Sequence, residues 1–260
     1  MRLNRYIAKS GIASRRKADV LIEDGLIKIN GNIVTNFGYQ LKEEDIVTYK
    51  DQVLSPSQDI VYLLNKPKGY VCSNVDKFNK KTVFDLISSD SRLFTIGRLD
   101  RDTTGVLLIT NNGDLSYKLT HPKYQIEKKY YVTSKIDIDN TDLKSLKKGI
   151  RLEDDGTFVK ADLKRLQKED GKIFWDITLT EGKNREIKRI FIHFKSKVLN
   201  LHRYKFANIE IGSLKLGDYK KMKKSDLRKI GIKWFLIKTV TISDMYRILL
   251  GFLKMENLRW

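Results

Sequence analysis

The stretch GRLDRDTTG-VLLIT, Gly97 to Thr110, places Arg98, Asp100, Arg101 and Asp102 within five positions, immediately before an apolar run. Val106 to Ile109 carries no charge and reads as a buried strand. Asp102-Thr-Thr-Gly reads as a turn, because an Asp side chain bonds readily to its own backbone. A charged loop feeding a buried strand is anchored at one end. It is either a solvated turn or a loop that aims a carboxylate at a reacting group. The surrounding sequence has to choose.

Upstream, IVYLLNKPKGYVCS (Ile60–Ser73) reads as another buried strand, closed by Pro67 and Gly69. Downstream, TVFDLI is helix-like, GDLSYKLT a helix, EKKYYVTS a strand and DLKSLKKG a helix. Two long strands follow around the turn Glu169-Asp170-Gly171, then a strong helix in NREIKRIFIHFK and further short strands. Helices and antiparallel-looking strands mix without a βαβ repeat, so the expected class is α+β with a mainly antiparallel mixed sheet.

Residues 1–50 form a separate small unit. RLNRYIAKSG reads as a short helix with Leu3, Tyr6 and Ile7 on one face. SRRKADVLIEDG starts at Ser14, a good N-cap, and stops at Gly25. Val20, Leu21 and Ile22 are expected to face the first helix. LIKIN-GN-IV reads as two strands around Asn30-Gly31, and IVTYK as a third. Residues 1–18 hold six basic side chains (Arg2, Arg5, Lys9, Arg15, Arg16, Lys17) and no acid. This is either a solvated helix pair or a phosphate-binding face; the sign segregation and the basic helix start favour the latter. Asp51–Asp59 reads as the linker. The expected boundaries are 1–58, 59–232 and a tail at 233–260. In the tail, Ser243–Met255 has the spacing of an amphipathic helix, expected to dock on protein rather than on a membrane.

The formal charge is +19, from 51 Lys and Arg against 32 Asp and Glu. Such an excess favours a polyanionic partner, nucleic acid first and an anionic membrane second. With 41% hydrophobic residues the chain should fold. The single Cys72 excludes an intrachain disulfide and suits a reducing cytoplasm. Three scattered histidines give no zinc spacing, and no metal site is expected. There is no signal-peptide pattern, no uncharged run of about 18 residues, and no glycine-rich nucleotide-binding motif.

Residues 1–50, on RLNRYIAKSGIASRRKADVLI and GLIKINGNIV, resemble the alpha-L RNA-binding module. Residues 60–232 resemble the catalytic domain of ribosomal pseudouridine synthases of the RsuA/RluB type, on LNKPKGYVCS, TVFDLI, IGRLDRDTTGVLLITNNGDL, LTHPKYQIEKKYYV and LTEGKNREIKRIF. The resemblance implies isomerisation of a specific uridine in ribosomal RNA, with no redox change and no cofactor. The partner is then ribosomal RNA or a subunit precursor, met by a cytoplasmic monomer. The motif wording leans towards large-subunit RNA, with small-subunit RNA the alternative. A non-catalytic RNA-binding assembly factor is the competing class.

By the same resemblance Asp100 is the catalytic carboxylate, Tyr130 the ring beneath the uracil, and Lys188 the cation that pairs the Asp. Periodicity agrees about Lys188. Ile187, Ile190, Phe191 and Phe194 form an apolar stripe with Lys188 at its edge, while Arg185 and Arg189 point away. The competing role for Lys188 is to cover apolar surface with its stem. Asp102 is expected to shape the loop. Arg98 is either a nucleotide contact or a plain surface residue. Asn65, Lys66 and Lys68 are expected to face RNA, with a solvated turn as the alternative. Arg2, Ser14, Arg15, Arg16, Lys17, Lys28 and Asn30 are the module's expected RNA contacts.

Overall fold

The computed structural model describes residues 1–74 and 81–230. The expected tail helix at Ser243–Met255 lies outside them.

The N-terminal unit begins with α1 (Leu3–Lys9) and α2 (Arg15–Glu23). The Ser14 hydroxyl caps α2 by accepting from the Lys17 N–H at 3.2 Å. Strands β1 (Ile27–Ile29), β2 (Asn32–Ile33), β3 (Val47–Tyr49) and β4 (Gln52–Val53) form an antiparallel sheet in the order β2-β1-β3-β4. Leu3, Ile7, Ala18, Ile22, Ile27, Val47 and Leu54 make its core. Val20 does not join it: half of that side chain is exposed, and Ala18 takes the inward place. Successive helical residues are about 100° apart, so three in a row cannot share a face.

The linker is also shorter than Asp51–Asp59. Lys50 and Asp51 both adopt positive φ, as a two-residue hairpin requires. That turn returns Gln52–Val53 to the sheet and buries Leu54. No Gly or Asn announces the turn, so its composition reads as linker.

The larger unit contains β5 (Val61–Lys66), β6 (Phe94–Ile96), β7 (Thr104–Thr110), β8 (Lys128–Ser134), β9 (Ile150–Arg151), β10 (Phe158–Val159), β11 (Asp162–Glu169), β12 (Lys172–Leu179), β13 (Val198–Phe206), β14 (Ile209–Glu210) and β15 (Tyr219–Lys221). Its main sheet runs β11-β12-β8-β13-β7-β5-β15. β6 pairs with β7 and β14 with β13. Every pairing is antiparallel except β13 with β7. Helices α3 (Gly113–Thr120), α4 (Asn140–Lys148), α5 (Glu186–His193) and α6 (Lys224–Arg228) complete the α+β fold. TVFDLI supplies one turn of 3-10 helix, Val83–Leu86, rather than an α-helix.

Two features fix the centre. All six residues of β5, in the interior of the sheet between β7 and β15, are buried, in keeping with the apolar run Val61–Leu64 and in spite of Asn65 and Lys66. Gly105 joins the charged loop to β7 at φ +108°, and a Cβ there would lie 2.1 Å from the Arg203 carbonyl oxygen. Only glycine permits this approach of β7 to β13.

Candidate active site

Four elements converge on one cavity: the Gly97–Thr103 loop, the middle of β8, the N-terminal turn of α5 and the inner side of β13. The cavity is lined by Asp100, Tyr130 and Lys188, the three residues expected to act together.

Helix α5 places Lys188 as its stripe requires. Ile187, Ile190 and Phe191 are buried, so the neighbouring Lys188 is held at the core margin with its side chain 12% exposed. Its Nζ lies 3.0 Å from Asp100 Oδ2 and donates a 2.6 Å hydrogen bond to Asp102 Oδ1. Asp102 therefore shares the cation, a role beyond shaping the turn. Burial opposes ionisation of Asp102. The hydrogen bond from Lys188 and the charges of Lys188 and Arg185 outweigh it, so the carboxyl sits below its ordinary range. Arg189 turns away, as expected, to a bidentate pair with Asp154 at 2.6 and 2.7 Å.

Strand alternation positions the aromatics. Tyr130 is buried against the cavity, whereas Tyr131 is on the opposite face, half exposed and stacked on Tyr204 at 4.2 Å. The Arg203 guanidinium lies 6.0 Å from the Tyr130 ring centre and 4.8 Å from that of Phe206.

Lys66 departs most from expectation. It faces the interior and is completely buried. Its ammonium donates to the carbonyls of Pro67, Asp100, Arg101 and Thr103, at 2.9–3.2 Å. Lys66 pairs in register with Gly105, so β5 delivers its ammonium beneath the loop that carries Asp100. Burial pushes its pKa down to about 8. Asn65 is buried too, donating to Leu214 O at 2.8 Å. Both side chains are turned from solvent, contrary to the expected RNA-facing turn, and of the two only Lys66 bonds to the loop of the site. The turn logic failed here because the strand runs on through both residues and ends only at Lys66. Lys68 is exposed and bonded to Asn200 at 2.7 Å, and Arg98 is an exposed residue of the cavity rim.

In the N-terminal unit, Arg2, Arg15, Arg16 and Lys17 are exposed. Lys28 pairs with Asp51 at 2.9 Å. Asn30 ties its turn to the chain entering β3, donating to Asp45 at 3.1 Å and accepting from the Ile46 N–H at 2.9 Å. Ser14 is occupied as a cap.

The cavity contains groups that the sequence reading missed. Lys128 is buried and donates to the Ile126 and Thr180 carbonyls. Burial, with Arg203 beside it, pushes its pKa down to about 8. Arg203 is 2% exposed and donates from Nε to Val106 O at 2.7 Å, while a terminal nitrogen of its guanidinium is buried without a partner. Glu186 accepts from the Lys183 N–H, and burial raises its carboxyl. Arg185, expected to point away like Arg189, instead lines the cavity, because at φ 48° it precedes α5 and does not follow the helical spacing. The inward parity of β13, with Leu201 and Arg203 on one face, was the available signal for Arg203. Among the described residues no three His, Cys, Asp or Glu side chains converge as a metal set.

Residues 60–193, which include Asp100, Tyr130 and Lys188, match the family model of RNA pseudouridylate synthase. The chain belongs to that family. Residues 1–47 match the S4 domain, over the part read as an RNA-binding module. Among relatives of this pseudouridylate synthase, ribosomal large subunit pseudouridine synthase B of Bacillus subtilis (strain 168) is 35% identical over 231 residues, covering 88% of this chain and 95% of the relative. Dual-specificity RNA pseudouridine synthase RluF of Escherichia coli (strain K12) is also 35% identical, over 87% of this chain and 77% of the relative. A crystal structure of a pseudouridylate synthase matches with TM-score 0.63 and 32% identity, covering 88% of this chain and 99% of that one.

Proposed function

We propose that this RNA pseudouridine synthase isomerises a specific uridine of ribosomal RNA, in the large subunit, with Asp100 as the reacting carboxylate. The observation that carries the assignment is that Asp100, and not Asp102, lines the cavity together with Lys188 and the Tyr130 ring. The large-subunit choice draws on the name of the Bacillus subtilis relative.

The chemistry needs three things of the protein. The uridine must leave its stack, and the Tyr130 ring offers it a face in exchange. Asp100 must present an anionic oxygen to the ribose, and the Lys188 ammonium, 3.0 Å from Asp100 Oδ2, holds that carboxylate at the cavity. The loop must hold the carboxylate still while the N1–C1′ bond breaks, the uracil turns, C5 joins C1′ and the C5 proton leaves. Lys66 binds three carbonyls of that loop. Attack at C1′ and removal of a ribose proton make the same demand on Asp100, an anionic oxygen aimed at the sugar.

The protein is taken to act as a cytoplasmic monomer. Its exposed Arg2, Arg15, Arg16 and Lys17 then supply phosphate contacts. No described helix is long and apolar enough to cross a membrane.

Tritium release from ribosomal RNA labelled at uracil C5 tests the activity, and an assembly factor that only binds RNA releases none. Pseudouridine mapping in cells lacking the gene tests the target. Loss of a small-subunit site with every large-subunit site intact would overturn the large-subunit choice.

A further inference from the structure

Outside the catalytic cavity, three rings cluster where α3 ends. Tyr117 lies 4.7 Å from His121 and 6.1 Å from Tyr124, centre to centre, and His121 lies 6.4 Å from Tyr124. Tyr117 is 47% exposed and Tyr124 36%. Lys123 Nζ sits 5.3 Å from the Tyr117 ring centre and 4.8 Å from that of Tyr124. A helix needs no such cluster for its own stability, since α3 is already anchored by the fully buried Leu115 and Leu119.

Hydrogen bonds order the turn that carries His121 and Tyr124. His121 Nδ1 accepts from the Lys123 N–H at 3.2 Å, and Pro122 fixes the start of the turn. Gln125 closes it by donating to Pro122 O at 2.7 Å.

The position is what gives the cluster meaning. Thr120, one turn beyond Tyr117 on the same helix, lines the catalytic cavity. Tyr117 itself lines a second cleft, together with Arg2, Arg5, Arg15 and Arg92. Helix α3 thus borders the catalytic cavity at Thr120 and a cleft rich in arginine at Tyr117. From Leu115 to Ile126 the chain has Lys118 and Lys123 and no acidic residue.

We propose that Tyr117, His121 and Tyr124 form a stacking subsite for an unpaired base of the RNA strand that carries the target uridine, with Lys123 meeting its phosphate. The site rests on the proposed RNA-modifying function and adds to it a second aromatic contact, outside the catalytic cavity. Exposed rings interleaved with cations suit a single strand, because every base has a stackable face. A duplex would offer these rings no base face.

The test compares wild type with Tyr117→Leu/Tyr124→Leu and with Tyr117→Phe/Tyr124→Phe, in the full-length protein. The probes are a 15-nucleotide oligouridylate and a strand of equal length and phosphate number with abasic riboses at alternate positions. Removing a stacking ring should lower the ratio of affinities for the two strands by about 5- to 150-fold. Affinity for the abasic strand should change far less, and the Phe pair should match wild type. An unchanged ratio in the Leu pair overturns the proposal, as does equal weakening on both strands. Single-turnover pseudouridine formation at saturating protein, on ribosomal RNA from cells lacking the gene, should be unchanged in the Leu pair. A lower rate there would place the rings in the chemistry or the fold and overturn the subsite. If wild type itself forms no pseudouridine, the catalytic assignment fails, while the strand ratio still reports on the rings.

Discussion

Asp100 and Asp102 share one ammonium, and the closer contact goes to Asp102. Distance to Lys188 therefore does not single out the reacting carboxylate. The proposal of Asp100 rests instead on the cavity: its side chain is 34% exposed and lines it, whereas that of Asp102 is 67% exposed. Asp100→Asn should lower single-turnover isomerisation by at least about 10⁴-fold with RNA binding intact. The amide keeps the size of the carboxyl but cannot act as an anionic nucleophile or base. Asp102→Asn should retain activity within about tenfold of wild type, roughly the cost of one charge-assisted hydrogen bond. The opposite order of severity would reassign the loop. Lys66 makes a second prediction. Its pKa of about 8 lies below the ordinary lysine value. Above pH 8 the neutral amine offers fewer N–H donors to four carbonyls, so the loop should loosen and single-turnover rate should fall. Stability follows the opposite sign. As pH rises from about 8 to about 10.4, the unfolded chain holds more protons here than the folded one, and this residue's linkage then favours folding. Rate should therefore fall along that limb without a lower Tm attributable to this residue. Lys66→Met should remove the limb together with most of the activity. It should also destabilise by about 3 kcal/mol through unpaired buried carbonyls.

At the scale of elements, the site depends on where β5, β7 and β13 meet. The parallel contact of β7 with β13 pairs Arg203 with Gly105. β5 brings Lys66 to the other side of the same glycine. Gly105→Ala combines a positive φ with a Cβ inside contact distance of backbone. It should destabilise by about 3 kcal/mol, which lowers Tm by about 6–12 °C. Because the strands must separate, both Lys66 and Arg203 shift, and activity should fall even in the folded fraction. A normal Tm would mean that the two strands yield easily. Helix α5 was legible in advance. Its stripe gave the buried face, and the edge position of Lys188 followed from 100° steps. The reading of LNKPKG went wrong because Pro67 and Gly69 do mark a turn, but the preceding Asn65 and Lys66 still belong to a strand buried on both sides.

Across the whole molecule, the N-terminal unit and the larger unit have separate apolar cores. An ion pair between Arg5 and Asp114 crosses between them, both partners exposed, and such a pair contributes little. Removal of residues 1–58 should leave the remainder folded. It should weaken RNA binding and reduce the salt dependence of log Kd by about 0.7–0.9 for each phosphate that the module neutralises. Circular dichroism and filter binding across a salt series check both parts. An unfolded truncation would show that the units depend on each other, and an unchanged salt slope would show that the basic face touches no phosphate.

Sequence alone determined the α+β class, the separate basic N-terminal unit, the strand parity that splits Tyr130 from Tyr131, and the helical face that sets Lys188 at the core margin. These follow from periodicities of two and 3.6 residues and from local turn chemistry, which neighbouring residues carry by themselves. Only the tertiary structure decided that Lys66 is buried and tied to three carbonyls of the Asp100 loop, that Lys188 is shared between two aspartates, and that Arg203 and Lys128 border the same cavity. The bonds of Lys66 and Lys188 to that loop join residues at least 34 positions apart, Lys66 to Asp100 being the shortest span. A side chain's burial is set by what packs over it from elsewhere in the chain. A polar residue at a strand end therefore has no local sign of whether it meets water or a buried carbonyl.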